Sequence, residues 1–478
     1  MPSDKISGRT AEQRLLCEAY DSLGSEFVAV YGRRRVGKTF LILETLRDRL
    51  DFVFSGMFGV SSKIALRAFH KELTRQGAGP LPVPTDWFTA FDQLKDHLLS
   101  LNKSRVAVFL DELPWMDTPK SYFLQALSSF WNMWNNSDVI LKLYVCGSAT
   151  SWMVDRLIGD RGGLYGRLTR PIYLAPFTLG ETEKYINETK QLNYGRRQIL
   201  DAYMVFGGIP YYLNLLDRKL PLAANIDAII FADKAPLRTE FEFLFRSLFR
   251  ESNAYRRIIE LLATKLKGLT REELARDSGI SGGELTKILQ NLNNCDFIRY
   301  YMSPQKKKRG KIYQLTDMFS LFHLRFASAA NDGHFWTNLG KAGRRNAWAG
   351  YAFEQTCLHH IQQIKMKLGI TGVLTNAYAW SSKACTDQDG RTLPGGQIDL
   401  ILDRNDGIMN LCEMKYAQGE YEISAELEEQ LRNRADLLRT REKTRKDLRN
   451  TFITLYGVKQ GLHSGIVDDE ITLDDLFT

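Results

Sequence analysis

Three apolar runs set the pattern of the first third of the chain. They are Phe27-Val28-Ala29-Val30-Tyr31, Val106-Ala107-Val108-Phe109-Leu110, and Ile140 to Cys146, interrupted only by Lys142. Runs of this length without polar alternation predict strands buried on both faces, as in a parallel sheet. Phe40 to Leu46 carries helix formers with no Gly or Pro and predicts a helix straight after the first strand. Farther on, Thr270-Arg-Glu-Glu273 and Ser281-Gly-Gly-Glu284 each place a hydroxyl three residues before a glutamate, the pattern of a helix N-terminus. Near the C-terminus, Gln397–Asp403 and Ile408–Lys415 flank Arg404-Asn405-Asp406-Gly407, whose Asp-Gly predicts a β-hairpin. Ile423 to Asn450 mixes Glu426, Glu428 and Glu429 with eight arginines and lysines, and its charge pattern predicts one long helix with a solvated face.

The first strand runs into Gly32-Arg33-Arg34-Arg35-Val36-Gly37-Lys38-Thr39, and the helix follows at Phe40. Glycines at this spacing let backbone N–H groups surround a nucleotide's phosphates, Lys38 reaches the β- and γ-phosphates, and the Thr39 hydroxyl holds Mg2+. Strand, loop and helix are the required setting. The octapeptide and Phe40 are therefore the candidate ATP-binding residues. The second strand ends in Asp111-Glu112, at the edge of the sheet where open α/β folds place ligand chemistry. Asp111 is the candidate for the magnesium shell and Glu112 for polarising the attacking water. The third ends in Gly147-Ser148, which predicts the Ser148 hydroxyl beside the γ-phosphate. Arg167, after Gly166 on a loop, is the candidate for stabilising transition-state charge, in cis or on a neighbour; a surface arginine is the plainer alternative.

Those segments, with Leu164-Tyr-Gly-Arg167 and Gly207-Gly-Ile-Pro-Tyr-Tyr-Leu213, occur in an order that resembles the prokaryotic AAA+ ATPases close to the archaeal origin-recognition and STAND clades. The resemblance spans about the first 235 residues. It implies a five-stranded parallel core, a helical lid, and a nucleotide-sensing role for the lid segment containing Pro210.

Between the two capping boxes, Ser278-Gly279-Ile280 makes a tight turn, and Phe297–Tyr301 leads into a hairpin tipped by Lys306-Lys307-Lys308-Arg309. This is a winged-helix pattern with a basic wing. It either contacts DNA phosphates through the wing or packs as a protein-contact module.

In the C-terminal hairpin the midpoint of 399 and 413 is 406, inside the turn, so an unbulged register sets Asp399 opposite Glu413. Like charges directly opposite are destabilising unless a cation lies between them. Lys415 shares their face by strand periodicity. Asp, Glu and Lys converging on one point suit Mg2+ binding and a phosphodiester substrate, although a solvated face with a salt-bridged lysine fits the hairpin as well. Glu413-Met-Lys415 with Asp399 and helix residue Glu354 resembles the PD-(D/E)xK nuclease superfamily, over about residues 318 to 478. That resemblance implies a metal site at Asp399, Glu413 and Glu354, with Lys415 catalytic. It departs from the superfamily at Gly395-Gly-Gln-Ile398, which replaces the Pro-Asp dipeptide. Nuclease folds of this type also occur as inactive binding modules.

The expected fold class is α/β: a P-loop parallel sheet over 1–175, a helical lid over 176–235, a winged helix over 236–317 and a restriction-endonuclease-like α/β domain over 318–478. A net charge of +8 and a pI near 9.0 lean toward double-stranded or branched DNA as partner, with a homo-oligomer as a further expectation. The six cysteines lack zinc or disulfide spacing, which predicts a reducing, cytoplasmic setting. No apolar run is long enough to span a membrane and no signal peptide is evident. Two functions follow as alternatives: an ATPase acting on DNA with a metal-dependent nuclease domain, or a nucleotide-dependent switch whose C-terminal domain only binds DNA or a protein.

Overall fold

The computed structural model describes residues 6–134, 137–159, 163–164, 166–249, 251–266, 268–301, 311–327, 332–339, 343–386 and 390–478. The chain forms two compact units. One contains the residues up to Pro176 together with Ile209–Tyr211, and the other contains Phe177–Gly208 and Tyr212–Thr478.

The first unit is built on five parallel strands, β1 (Glu26–Tyr31), β2 (Phe52–Ser55), β3 (Arg105–Asp111), β4 (Ile140–Gly147) and β5 (Arg170–Tyr173). Their order across the sheet is β2-β3-β4-β1-β5, so the five-stranded parallel core is present. The apolar runs are buried as their composition requires, with Val28 to Val30, Val106 to Leu110 and Leu141 to Cys146 fully enclosed. Helices cover the sheet with an aromatic layer in which Trp87 meets Phe69 and Phe123 edge-on, at 5.6 and 5.1 Å between ring centres. Such pairs contribute about 0.5–1.5 kcal/mol each beyond the area they bury. Lys142, the polar residue inside an apolar run, is fully buried on β4. Its ammonium donates to Ser22 O (2.9 Å), Ser22 Oγ (2.6 Å) and Gly24 O (2.5 Å), and burial pulls it down to about 8.

In the second unit, helix Arg196–Phe206 ends in Gly207 and Gly208, both at positive φ (67° and 65°). Next, β6 (Leu269–Thr270), β7 (Ile298–Tyr301) and β8 (Ile312–Leu315) make a three-stranded sheet in the order β6-β8-β7, beside helices Arg271–Ser278 and Gly282–Asn294. The first capping box forms as expected, with Thr270 and Glu273 bonded reciprocally. Ser281 starts the second helix without a side-chain cap, so that box is not made. Gly279 takes φ 72° in the turn between them. The Lys306–Arg309 tip lies outside the described residues.

The C-terminal sheet contains β9 (Thr375–Ser382), β12 (Gly396–Arg404), β13 (Ile408–Lys415), β14 (Asp447–Thr454) and β15 (Asp469–Ile471), in the order β15-β14-β13-β12-β9. A two-residue ribbon, β10 (Cys385–Thr386) with β11 (Thr392–Leu393), precedes β12. The hairpin has the expected register, Leu400 facing Cys412, and Asp399 and Glu413 are the next positions along it. A bulge between Ile398 and Ile401 interrupts the pairing of β12 with β9. The long helix expected over 423–450 is corrected: it spans Ala425–Glu442, Lys443 turns out at φ 51°, and Asp447–Thr454 is a strand between β13 and β15. The burial of Phe452 and Ile453 on both faces of a sheet outweighs the helix-like charge pattern of Arg445, Lys446 and Arg449. Among the described residues no helix is long and apolar enough to cross a membrane.

Candidate functional sites

The phosphate loop hangs between β1 and helix Lys38–Leu46. Gly32 sits at φ 144°, and a Cβ there would meet Leu174 O at 2.3 Å, so only glycine fits this first turn. Gly37 caps the helix at φ 91°, and Arg35 holds a left-handed φ of 74°. The Lys38 ammonium donates to Gly32 O (3.0 Å) and Arg33 O (2.9 Å), curling its stem back over the loop. Val36 and Arg33 are buried, Arg34 is half-buried, and Phe40 is 52 % exposed. Arg35 places its guanidinium 3.8 Å from the centre of the Tyr211 ring, next to Pro210, which opens helix Pro210–Asn214.

Asp111 is the fixed point of the site. Its carboxylate accepts from Thr39 Oγ1 (3.1 Å to each oxygen), Ser55 Oγ (3.2 Å), Cys146 Sγ (2.6 Å) and the Glu112 amide (2.9 Å). Burial, then the Asp111 charge, pushes the Cys146 thiol well up, which keeps it protonated as a donor. The Thr39 hydroxyl and Asp111 carboxylate are hard oxygen donors of the kind Mg2+ takes, so these residues fit the ion.

Glu112 is turned out of the strand at φ 50° and its Oε2 accepts from the Ser148 amide and hydroxyl, both at 2.9 Å. Burial raises this carboxyl, and the Ser148 amide works against that rise. Ser148, the residue expected beside the γ-phosphate, thus places both its amide and its hydroxyl on Glu112. Arg167 is exposed on the turn before β5, with its amide bonded to Leu164 O.

In the C-terminal sheet Glu413 accepts from Lys415 Nζ at Oε1 (2.7 Å) and from Arg434 Nη1 at Oε2 (2.7 Å). Asp399 accepts from Gln397 Nε2 (2.8 Å). Burial and then Glu413 raise Asp399; burial and then Asp399 push Glu354 up to about 8. The three acids therefore feel one another. They nevertheless do not fit a divalent ion as folded: among the described residues no three acidic, His or Cys groups are placed to hold one, and both oxygens of Glu413 are occupied by cations. Asp399, Glu413 and Glu354, the residues expected to hold a metal, thus stand beside Lys415 and Arg434. Arg434 was not legible as part of this site, although its spacing from buried Leu431 and Leu438 puts it on the inward face of its helix. Cys146 and Ser55 were likewise missed around Asp111; the signal for Cys146 was its place at the end of a strand beside Asp111's.

Residues 7–216 match the model of a family described as an ATPase domain predominantly from Archaea, and this segment is similar to that ATPase domain. Over 417 residues the chain is 28 % identical to an uncharacterized protein of Methanocaldococcus jannaschii, covering 85 % of this chain and 87 % of that one. Among solved structures it is similar to a Walker-type ATPase of Pyrococcus abyssi, at 20 % identity, 68 % of this chain, 99 % of that chain and a TM-score of 0.47. It is also similar to the ORC2 protein of Aeropyrum pernix with ADPNP and ADP, at 15 % identity, 68 % and 94 % coverage and a TM-score of 0.42.

Proposed function

We propose that this chain binds and hydrolyses ATP and uses the nucleotide state to govern a DNA-directed C-terminal half. The observation that carries the ATPase chemistry is the Thr39 hydroxyl lying 3.1 Å from both oxygens of Asp111, which joins the phosphate loop to the acidic strand end. When ATP enters, Lys38 exchanges the carbonyls of Gly32 and Arg33 for the β- and γ-phosphates, and the loop amides wrap the chain of phosphates. Thr39 and Asp111 would hold Mg2+, which would supply positive charge to the phosphates. Glu112, aimed by Ser148, accepts a hydrogen bond from the attacking water and orients it in line. Lys38→Ala should abolish turnover of ATP by the purified protein; unchanged hydrolysis would contradict the assignment.

Support for DNA as partner comes from the net charge of +8 and the run Lys306–Arg309, which follows a helix pair and falls between β7 and β8 in the sequence. Phosphate contacts of this kind release counterions, so binding of duplex DNA should weaken steeply with salt. Replacing Lys306, Lys307, Lys308 and Arg309 by serine should flatten that salt dependence by about three units of slope. An unaltered slope would remove the basic run from the interface.

For the C-terminal half, the two cations on Glu413 favour DNA binding without cleavage over metal-dependent phosphodiester hydrolysis. The check is incubation of linear, nicked and branched DNA with the protein, Mg2+ or Mn2+, and with or without ATP. Intact substrates support this reading, and cleavage that disappears in Glu413→Ala/Lys415→Ala restores the nuclease.

A further inference from the structure

Glu413 is paired at both ends, and its second partner is built in. Arg434 belongs to helix Ala425–Glu442, three residues after buried Leu431 and four before buried Leu438, so it faces the sheet. Its side chain is 23 % exposed. On β12, Gly396 leaves a lane for its stem: a Cβ there would come to 3.2 Å of Arg434 Cγ. A third cation, Arg299 on β7, is anchored to Gln314 Oε1 (3.1 Å from Nε, 2.5 Å from Nη2) and acts electrostatically on Glu354 and Asp399. Three carboxylates are thus matched by Lys415, Arg434 and Arg299.

A divalent cation is held by oxygen ligands, carboxylates above all, and a side-chain cation on the same oxygen competes with it. A guanidinium at 2.7 Å makes a charge-assisted bond to the oxygen such an ion would need, and it delivers its charge without dehydrating an ion. We propose that Arg434 is the resident counter-cation of the C-terminal carboxylate cluster, a specificity-determining residue that excludes divalent metal from Glu413 and leaves the domain a metal-free module. This rests on reading the hairpin as nuclease-like. Lys415 and Arg434 supply the positive charge that opposing carboxylates require.

The test is a Mn2+ titration of the full-length, nucleotide-free protein, with free Mn2+ followed by electron paramagnetic resonance. Wild type should show no Mn2+ binding that Glu413→Gln removes. Arg434→Gln should gain at least about tenfold in Mn2+ affinity, the gain should vanish in Arg434→Gln/Glu413→Gln, and Arg434→Lys should behave as wild type. Wild-type Mn2+ binding that Glu413→Gln abolishes would overturn the proposal and leave the nuclease-like reading standing, a result that does not depend on any Arg434 variant folding. If Arg434→Gln folds, by its circular dichroism, and still binds no Mn2+, the proposal fails together with the reading of the hairpin as a nuclease-derived site. A gain that survives in the double variant places the ion elsewhere and also overturns it.

Discussion

The Arg35 guanidinium stacks on the Tyr211 ring at 3.8 Å, joining the phosphate loop to the residue after Pro210. Tyr211 is 41 % exposed, so the contact is worth about 0.5–1 kcal/mol, as expected for an exposed cation–π pair. A double-mutant cycle of Arg35→Met and Tyr211→Leu, followed by denaturant unfolding, should return a coupling of about that size without nucleotide. With ATP bound the γ-phosphate competes for the guanidinium, and the coupling should fall toward zero. A coupling that is unchanged by ATP would separate this contact from nucleotide sensing.

Ser148→Ala removes one of two bonds that aim Glu112 and keeps the amide bond. We expect kcat to fall about tenfold with little change in KM, in line with a hydrogen bond to a charged group. The Ser148 hydroxyl favours the ionised carboxylate, so its loss raises a group that burial has already raised. The acidic limb of the kcat–pH profile should therefore move to higher pH. A limb that moves down or stays put would mean that Glu112 is not the group it reports.

His360 sets a stability switch inside the second unit. Its Nε2 accepts from the Leu179 amide (2.8 Å) at the start of helix Leu179–Lys184, and Nδ1–H donates to Thr356 O (2.7 Å), which fixes a neutral tautomer. Burial pulls it down to about 4, partly offset by the Thr356 carbonyl. The folded state thus binds fewer protons than the unfolded one between about pH 6.5 and 4. Its contribution is fully present above pH 6.5 and is lost as pH falls to 4, by about 3 kcal/mol. His323, also buried and pulled down to about 4, adds a loss in the same window. Denaturant midpoints at pH 7, 5.5 and 4 should show the drop, and His360→Gln should be less stable at pH 7 with a shallower fall.

Gly32→Ala tests the loop's geometry by itself. The added methyl would meet Leu174 O at 2.3 Å and sit at φ 144°. The backbone must shift, at a cost of about 1–3 kcal/mol for the strained torsion alone. We expect lost ATP binding and a lower melting temperature of the first unit by calorimetry; wild-type behaviour would show the loop to be pliable there.

The parts of this fold that were legible in the sequence are those decided locally. Val28 to Val30, Val106 to Leu110 and the Asp406-Gly407 turn carry their structure in composition and period, and the turn alone set the register that brings Asp399 next to Glu413. What was not legible depends on partners distant in the chain. Ser148 reads as a strand-end hydroxyl, and only Glu112, thirty-six residues away, makes it an aiming group. Lys142 survives in a buried strand because the Ser22–Gly24 turn presents carbonyls to it. Arg434 sits among solvated charges and is singled out by Gly396 and Glu413 across the sheet. Asp447–Asn450 falls at the end of the helix expected over 423–450 because Arg445, Lys446 and Arg449 continue its charge pattern, whereas pairing with β13 and β15 makes Asp447–Thr454 a strand.

The central claim is that Glu112 drives hydrolysis at a site that Lys38, Thr39 and Asp111 build. It is tested most directly by measuring ATP binding and single-turnover hydrolysis in Glu112→Gln beside wild type. The variant should retain ATP with near wild-type affinity while its hydrolysis rate falls by at least about a hundredfold. Hydrolysis at the wild-type rate in Glu112→Gln would contradict the account.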